Sequence, residues 1–251
     1  LRAQNEFTDY DFEGSGMNIL LDVLAYNTHY LGFNANMLAN EMFLDSASLR
    51  SSIVSHSKTL GYVPTSARAA KATVDVNLNT NQTTITMPAG TVFNATVDGV
   101  SYKFSTITDV TKSNTGGTVP FLNTDIYEGT FITTRYTVNS SDIDQRFLLT
   151  DNRADTSTLT VKVQTSSTDT SSNTFTEATD ITQVTATSNV YFLQEVEAGL
   201  YEIYFGDGII GTALSDDNIV ILTYVVSNKS AANGAAIFTN AATIGGVSDV
   251  A

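Results

Sequence analysis

Two different spacings of apolar residues divide the chain. From Met17 to Leu44, large apolar side chains recur every three or four positions. One row is Ile19, Val23, Tyr26, Tyr30, Phe33 and Met37, and a second is Leu20, Leu24, Leu31 and Leu38. That period is helical, and two rows make a helix that is apolar over a broad arc. Ser15 is the expected N-cap, since its hydroxyl can accept from a free amide of the first turn, while Gly14 and Gly16 discourage an earlier start. A second helix is expected from a cap at Asp45 or Ser46, through Leu49, Ile53, Val54 and Leu60, stopping at Gly61 with Pro64 beyond. Holding this shorter helix takes one apolar row of the first. The other row would leave a patch larger than monomers usually expose, so Ile19, Leu20, Leu24, Tyr30, Leu31, Phe33, Met37 and Leu38 form the candidate partner interface.

After Lys71 the period becomes two and Thr, Val, Ser and Asn dominate, as in ATVDVNL, TTITMPAG, STLTVKVQT, GLYEIYFGD and NIVILTYVV. Alternation with β-branched residues predicts strands. Turn signals separate them at Pro88 to Gly90, Asp98-Gly99, Gly116-Gly117, Glu128-Gly129 and Gly206-Asp207-Gly208. The stretch from Thr165 to Thr176 is poor in large apolar residues and reads as a mobile hairpin tip or loop. The expected fold class is α+β: a helical pair in an assembly domain, residues 1–71, then a mainly antiparallel β region, residues 72–251.

The stretch YFGDGIIG, residues 204–211, matches G-x-G-x-x-G through Gly206, Gly208 and Gly211. A dinucleotide site needs the third glycine to open a helix facing the pyrophosphate, with an acidic residue about 20 positions on. Here a β-branched run, NIVILTYVV, follows, and Asp216 and Asp217 come too early. The glycines therefore read as turn residues. Gly206, Asp207 and Gly208 can each take positive φ and reverse the chain, with Gly211 closing the turn.

Charge and composition narrow the function further. Net charge is −14, with 5 basic and 7 acidic residues in 1–71 and 7 basic and 19 acidic in 72–251. Neither nucleic acid nor an anionic membrane is an expected partner of so acidic a chain. No apolar run approaches the roughly 20 residues that span a bilayer. There is no Cys, and the two histidines, His29 and His56, sit one on each expected helix without zinc-site spacing. Asp207-Gly208 is only a fragment of a calcium loop. The carboxylate pairs Asp142/Asp144, Glu195/Glu197 and Asp216/Asp217 fall at strand ends or in loops and read as solvated. Without Trp they lack the aromatic platforms of a sugar cleft. No catalytic residue, cofactor or metal is expected, and the chain does not read as an enzyme. A carbohydrate- or receptor-binding β protein is the alternative that the Thr/Ser/Asn-rich strands and acidic loops suggest.

Three segments together, MPAGTVFNATVDGVSYKFST (87–106), FGDGIIG (205–211) and VILTYVVSNKSAANGA (220–235), resemble the baseplate J-like family. That family builds the baseplates of contractile phage tails and related injection machines. The N-terminal stretch at 10–64 and VYFLQEVEAGLYEIYFGDGIIG at 190–211 are similar to the large baseplate wedge subunits of T-even-like phages. Ala213-Leu214 stands where the broader family often has a proline. The resemblance implies a structural role in the virion tail baseplate, assembled in the host cell cytoplasm. It implies as partners a second copy of the subunit, another wedge protein, neighbouring wedges and sheath-facing baseplate proteins, with six wedges linked into an inner ring that controls sheath contraction. The family's subunits are longer, so this chain is expected to be part of one.

Overall fold

The computed structural model describes residues 15–142, 144–240 and 242–248. The chain divides into two compact units, residues 1–63 and 64–251. Residue-type patterning set the expectation of helices before strands, and the observed architecture has that order: two helices, then a mostly antiparallel β region.

In the first unit, α1 spans Gly16–Glu41 and α2 spans Arg50–Thr59. Ser15 caps α1 as expected, its Oγ accepting from the Asn18 N–H at 3.0 Å. Gly16 does not delay the helix but is its first residue. The expected end at Leu44 is three residues too late, and α2 begins at Arg50 rather than after Asp45 or Ser46. The reason is Glu41. Its carboxylate turns back to accept from the Ser48 hydroxyl at 2.7 Å, the Ser48 N–H at 3.0 Å and the Leu49 N–H at 3.2 Å. It thereby satisfies the Ser48 and Leu49 amides just ahead of α2 and fixes the chain entering it, while Leu49, the residue at the cap position, has no side chain to bond the first turn. The other end of α2 matches expectation. Gly61, at φ +72°, donates to the Lys58 carbonyl, and Tyr62 donates to that of Ser57, the paired bonds of a glycine-terminated helix.

Hydrogen bonds from the hydroxyls of Ser52 and then Ser48 pull the Glu41 carboxyl down to about 2. A folded-state value below the ordinary 4.5 means that the contribution of this junction is present above pH 4.5 and fades as pH falls toward 2. An NMR titration should therefore show the Ser48 and Leu49 amide shifts moving with a midpoint near pH 2, and Glu41→Gln should abolish that transition. A midpoint at 4 or above would remove the capping role.

The second unit holds fourteen strands among the described residues. The first seven are β1 (Lys71–Asn79), β2 (Thr84–Met87), β3 (Val92–Val97), β4 (Val100–Ser105), β5 (Val110–Ser113), β6 (Thr118–Glu128) and β7 (Thr130–Thr137). The rest are β8 (Phe147–Leu149), β9 (Ala154–Gln164), β10 (Ser172–Glu177), β11 (Val190–Glu195), β12 (Tyr201–Phe205), β13 (Ile219–Val226) and β14 (Thr239–Asn240). They form a five-stranded sheet in the order β1-β6-β4-β3-β14, a seven-stranded sheet in the order β7-β13-β9-β10-β11-β12-β8, and the pair β2-β5. Every pairing is antiparallel except the short one between β10 and β11. The stretch 165–176, expected to be a hairpin tip or loop, is a hairpin tip at 165–171 only; β10 then begins at Ser172, because Phe175 is buried and anchors the returning strand. Asp98-Gly99 makes the tight reversal between β3 and β4, with φ of +49° and +81°, as a two-residue hairpin of matching twist requires.

Period two produces the two cores. Along β13, Val220, Leu222 and Tyr224 are wholly buried while Ile219, Ile221 and Thr223 are half-buried on the other face. The alternation breaks at Val225, where the register against β9 shifts and the Val225 N–H donates to Thr158 Oγ1 at 3.0 Å. Val220, Leu222 and Tyr224 join Leu149, Val161, Tyr201 and Ile203 in one core, and Leu78, Met87, Phe104, Phe121 and Ile126 form the other. The seven-stranded sheet curls until its outermost strands are bridged by side chains. The Tyr136 hydroxyl on β7 donates to the Leu148 carbonyl on β8 at 2.7 Å, and the Tyr136 and Phe147 rings meet edge to face. This covers edges that would otherwise invite pairing with another chain.

Candidate assembly surface

The eight residues expected to meet partners all lie on α1, and all are exposed, from 42% at Met37 to 68% at Leu38. At about 100° per residue, the row through Ile19, Tyr30, Phe33 and Met37 and the row through Leu20, Leu24, Leu31 and Leu38 run side by side, roughly 100° apart. The structure corrects one part of the expectation. Neither row is covered by α2, for α1 buries no residue at all, whereas α2 buries Val54 and Ser57. At ten residues, α2 is short and sits behind the Glu41 junction. Both rows are therefore free, and the uncovered arc is broader than the sequence suggested. Tyr26 and Tyr30, one turn apart, meet within it with ring centroids 5.0 Å apart and their planes tilted by 52°.

The glycine turn lies on the second unit, and its residues divide the labour differently from the expectation. Gly208 and Gly211 have φ of +86°, but Gly206 and Asp207 do not take positive φ. Gly206 is needed for space: a Cβ there would stand 2.4 Å from the Gly211 carbonyl group. Asp207 instead accepts from the Ile209 and Ile210 N–H groups at 2.9 and 3.0 Å, which holds its carboxyl below the usual range. No helix opens after Gly211. The chain runs on to β13, which is separated from β12 in the sheet, so the loop is a long crossover and not a simple hairpin reversal.

The acidic residues are also less uniform than expected. Glu195 was grouped with solvated carboxylates but is 2% exposed, with the Tyr201 hydroxyl at 3.4 Å. Its parity shows why: Tyr191, Leu193 and Glu195 alternate on one inward face of β11. Glu202 is buried beneath Arg146, which donates to both its oxygens at 2.8 and 2.9 Å, and Tyr204 donates to it at 2.7 Å. Glu128 accepts from the Asn228 backbone and side-chain amides. Asp142, Asp144, Asp216 and Asp217 are exposed. His56 contacts the Glu41 carbonyl at 2.9 Å, and His29 is exposed on α1. These carboxylates hold backbone and neighbouring side chains; Asp216, for one, accepts from the Ser140 N–H and hydroxyl at 2.8 and 3.2 Å.

The described residues thus present an exposed apolar helix followed by a β region of two larger sheets and a strand pair. Residues 1–62 match the family described as baseplate wedge protein gp6-like, helical domain, and residues 132–240 match bacteriophage baseplate wedge protein gp6, third domain. The chain is also 30% identical over 264 residues to the baseplate wedge protein gp6 of Enterobacteria phage T4, an alignment covering 97% of this chain and 39% of that protein. Together these findings support a structural subunit of the phage baseplate wedge family, located in the tail baseplate of the virion. The chain spans well under half the length of that relative.

Proposed function

We propose that this chain is the part of a baseplate wedge subunit that pairs with a second copy of itself, joins another wedge protein and links wedges into the inner ring that restrains the sheath. Its role is structural and not catalytic. The helical unit is the assembly element, and the β unit, which we place with the baseplate J-like domains, is the body of the subunit. The observation that supports this reading is the α1 arc, apolar along 26 residues and without one buried side chain. Each large apolar side chain covered there contributes roughly 1.5–3 kcal/mol before ordering costs, so a few suffice for a stable complex.

The test is to co-express the full-length subunit with the other wedge proteins of its phage, carrying Leu31→Asp or Phe33→Asp, and to follow the complex by size exclusion with light scattering. Each variant should weaken association at least tenfold, because a buried unpaired carboxylate costs more than 1.4 kcal/mol. If both variants assemble at wild-type stoichiometry with the β unit folded, the partner surface lies elsewhere.

A further inference from the structure

Two cations stand together on the outside of the large sheet, on a chain whose net charge is −14. β7, β13 and β9 are neighbours, and their register sets Arg135, Ile221 and Lys162 in one cross-strand row. The flanking rows are Thr133, Thr223, Thr160 and Thr137, Ile219, Gln164. Since Val220, Leu222 and Val161 point into the core, alternation turns these rows outward, except that Gln164 is buried at the hairpin tip, its amide donating to the Ser166 carbonyl at 2.6 Å. Arg135 and Lys162 are exposed, and neither joins an ion pair among the described residues. Residues of the hairpin tip 165–171 and of the loop 107–109 line the margins, making a groove of about 890 Å³. Its one lining carboxylate, Asp109, is engaged by the Ala89 N–H at 2.7 Å.

We infer that this groove docks an extended, acidic polypeptide segment of a partner protein. Adjacent strands lie about 4.8 Å apart, so the Cα atoms of Arg135 and Lys162 are roughly 10 Å apart across β13, and three rows extend about 14 Å along it. That floor accommodates four or five residues of extended chain, with carboxylates on one side reaching both cations. The threonine hydroxyls can bond to main chain, and Ile219 and Ile221 offer apolar contact between the charges. Two cations are too few to offset the repulsion between this chain and a nucleic acid, which is held through many phosphates. A short segment with two or three carboxylates presents its charge locally, and screening beyond about 8 Å hides the rest of the acidic surface. This contact lies on the β unit and needs nothing from α1, so its failure leaves the helix-mediated assembly standing, and the reverse holds equally.

The test is fluorescence anisotropy on the intact chain with a labelled, end-blocked hexapeptide alternating Glu and Thr, against its Gln/Thr counterpart. The acidic peptide should bind at least tenfold more tightly at low salt and weaken as salt rises. Arg135→Gln and Lys162→Gln should each cost two- to fivefold and together about tenfold, the range of exposed ion pairs. Arg135→Lys should retain binding. Circular dichroism reports whether the variants are folded, and Ile221→Glu, which sets a carboxylate between the cations, gives a second route to the same loss. Equal binding of the two peptides, an unchanged affinity in the double variant, or tighter binding of a sulfated saccharide such as heparin than of the peptide would overturn the inference.

Discussion

Gly129→Ala should lower the melting temperature of the β unit by about 10 °C. Gly129 is the single residue between β6, which belongs to the five-stranded sheet, and β7, which belongs to the seven-stranded one. Its φ is +130°, and a Cβ there would lie 2.3 Å from the Val226 carbonyl oxygen and 2.7 Å from Val225 Cγ1. The backbone strain costs about 1–3 kcal/mol and the overpacking a similar amount, together roughly 3–5 kcal/mol. For a unit of this size each kcal/mol moves the midpoint by about 2–4 °C. Gly99→Ala is the control: φ is +81° but nothing lies within 4 Å, so only the strain remains. Thermal melts followed by near-UV circular dichroism decide it. A shift below about 2 °C for Gly129→Ala would mean that the crossing between sheets relaxes without cost.

Asp155→Ala is expected to cost about 3–5 kcal/mol and to loosen residues 64–70, because Asp155 fastens this segment to the sheet. The carboxylate is 1% exposed and accepts from the Ala69 N–H at 2.8 Å, the Ser157 N–H at 2.9 Å and the Ser157 hydroxyl at 2.6 Å. Bonds to a charged acceptor contribute about 1.5–3 kcal/mol each and are not additive within one group. The same segment is held by the Tyr201 hydroxyl donating to the Pro64 carbonyl, by the contact of Ser66 with Thr156, and by the Glu128 N–H donating to the Ala70 carbonyl. Hydrogen exchange at the Ala69 amide and limited proteolysis within 64–70 are the sensitive readouts. Asp155→Asn should fall between wild type and Ala, since its oxygen can still accept from Ser157. Unchanged protection at Ala69 in Asp155→Ala would show that the other anchors suffice.

The local elements were legible in the sequence because their causes are local. Helical spacing from Met17 onward, the Ser15 cap, the Gly61 stop, the alternation of ATVDVNL and NIVILTYVV and the Asp98-Gly99 turn each express a preference of a few neighbouring residues, and the structure has all of them. The apolar arc that carries the eight candidate interface residues was legible for the same reason, as a periodic pattern on one helix, and all eight are exposed there. What the chain meets at a distance was not. Glu41 reaches seven residues on to the start of α2, so a cap sought among the immediate neighbours was misplaced. Gly206 is glycine because Gly211 folds back onto it, a contact invisible to a reading based on φ alone. Tertiary structure alone separated β12 from β13 in the large sheet, buried Glu202 under Arg146, and brought Arg135 and Lys162 into one row across β13. Residue preferences act over a few positions and fix which segments become helix or strand, whereas strand order and register follow from burying both cores at once, a constraint that belongs to the whole chain.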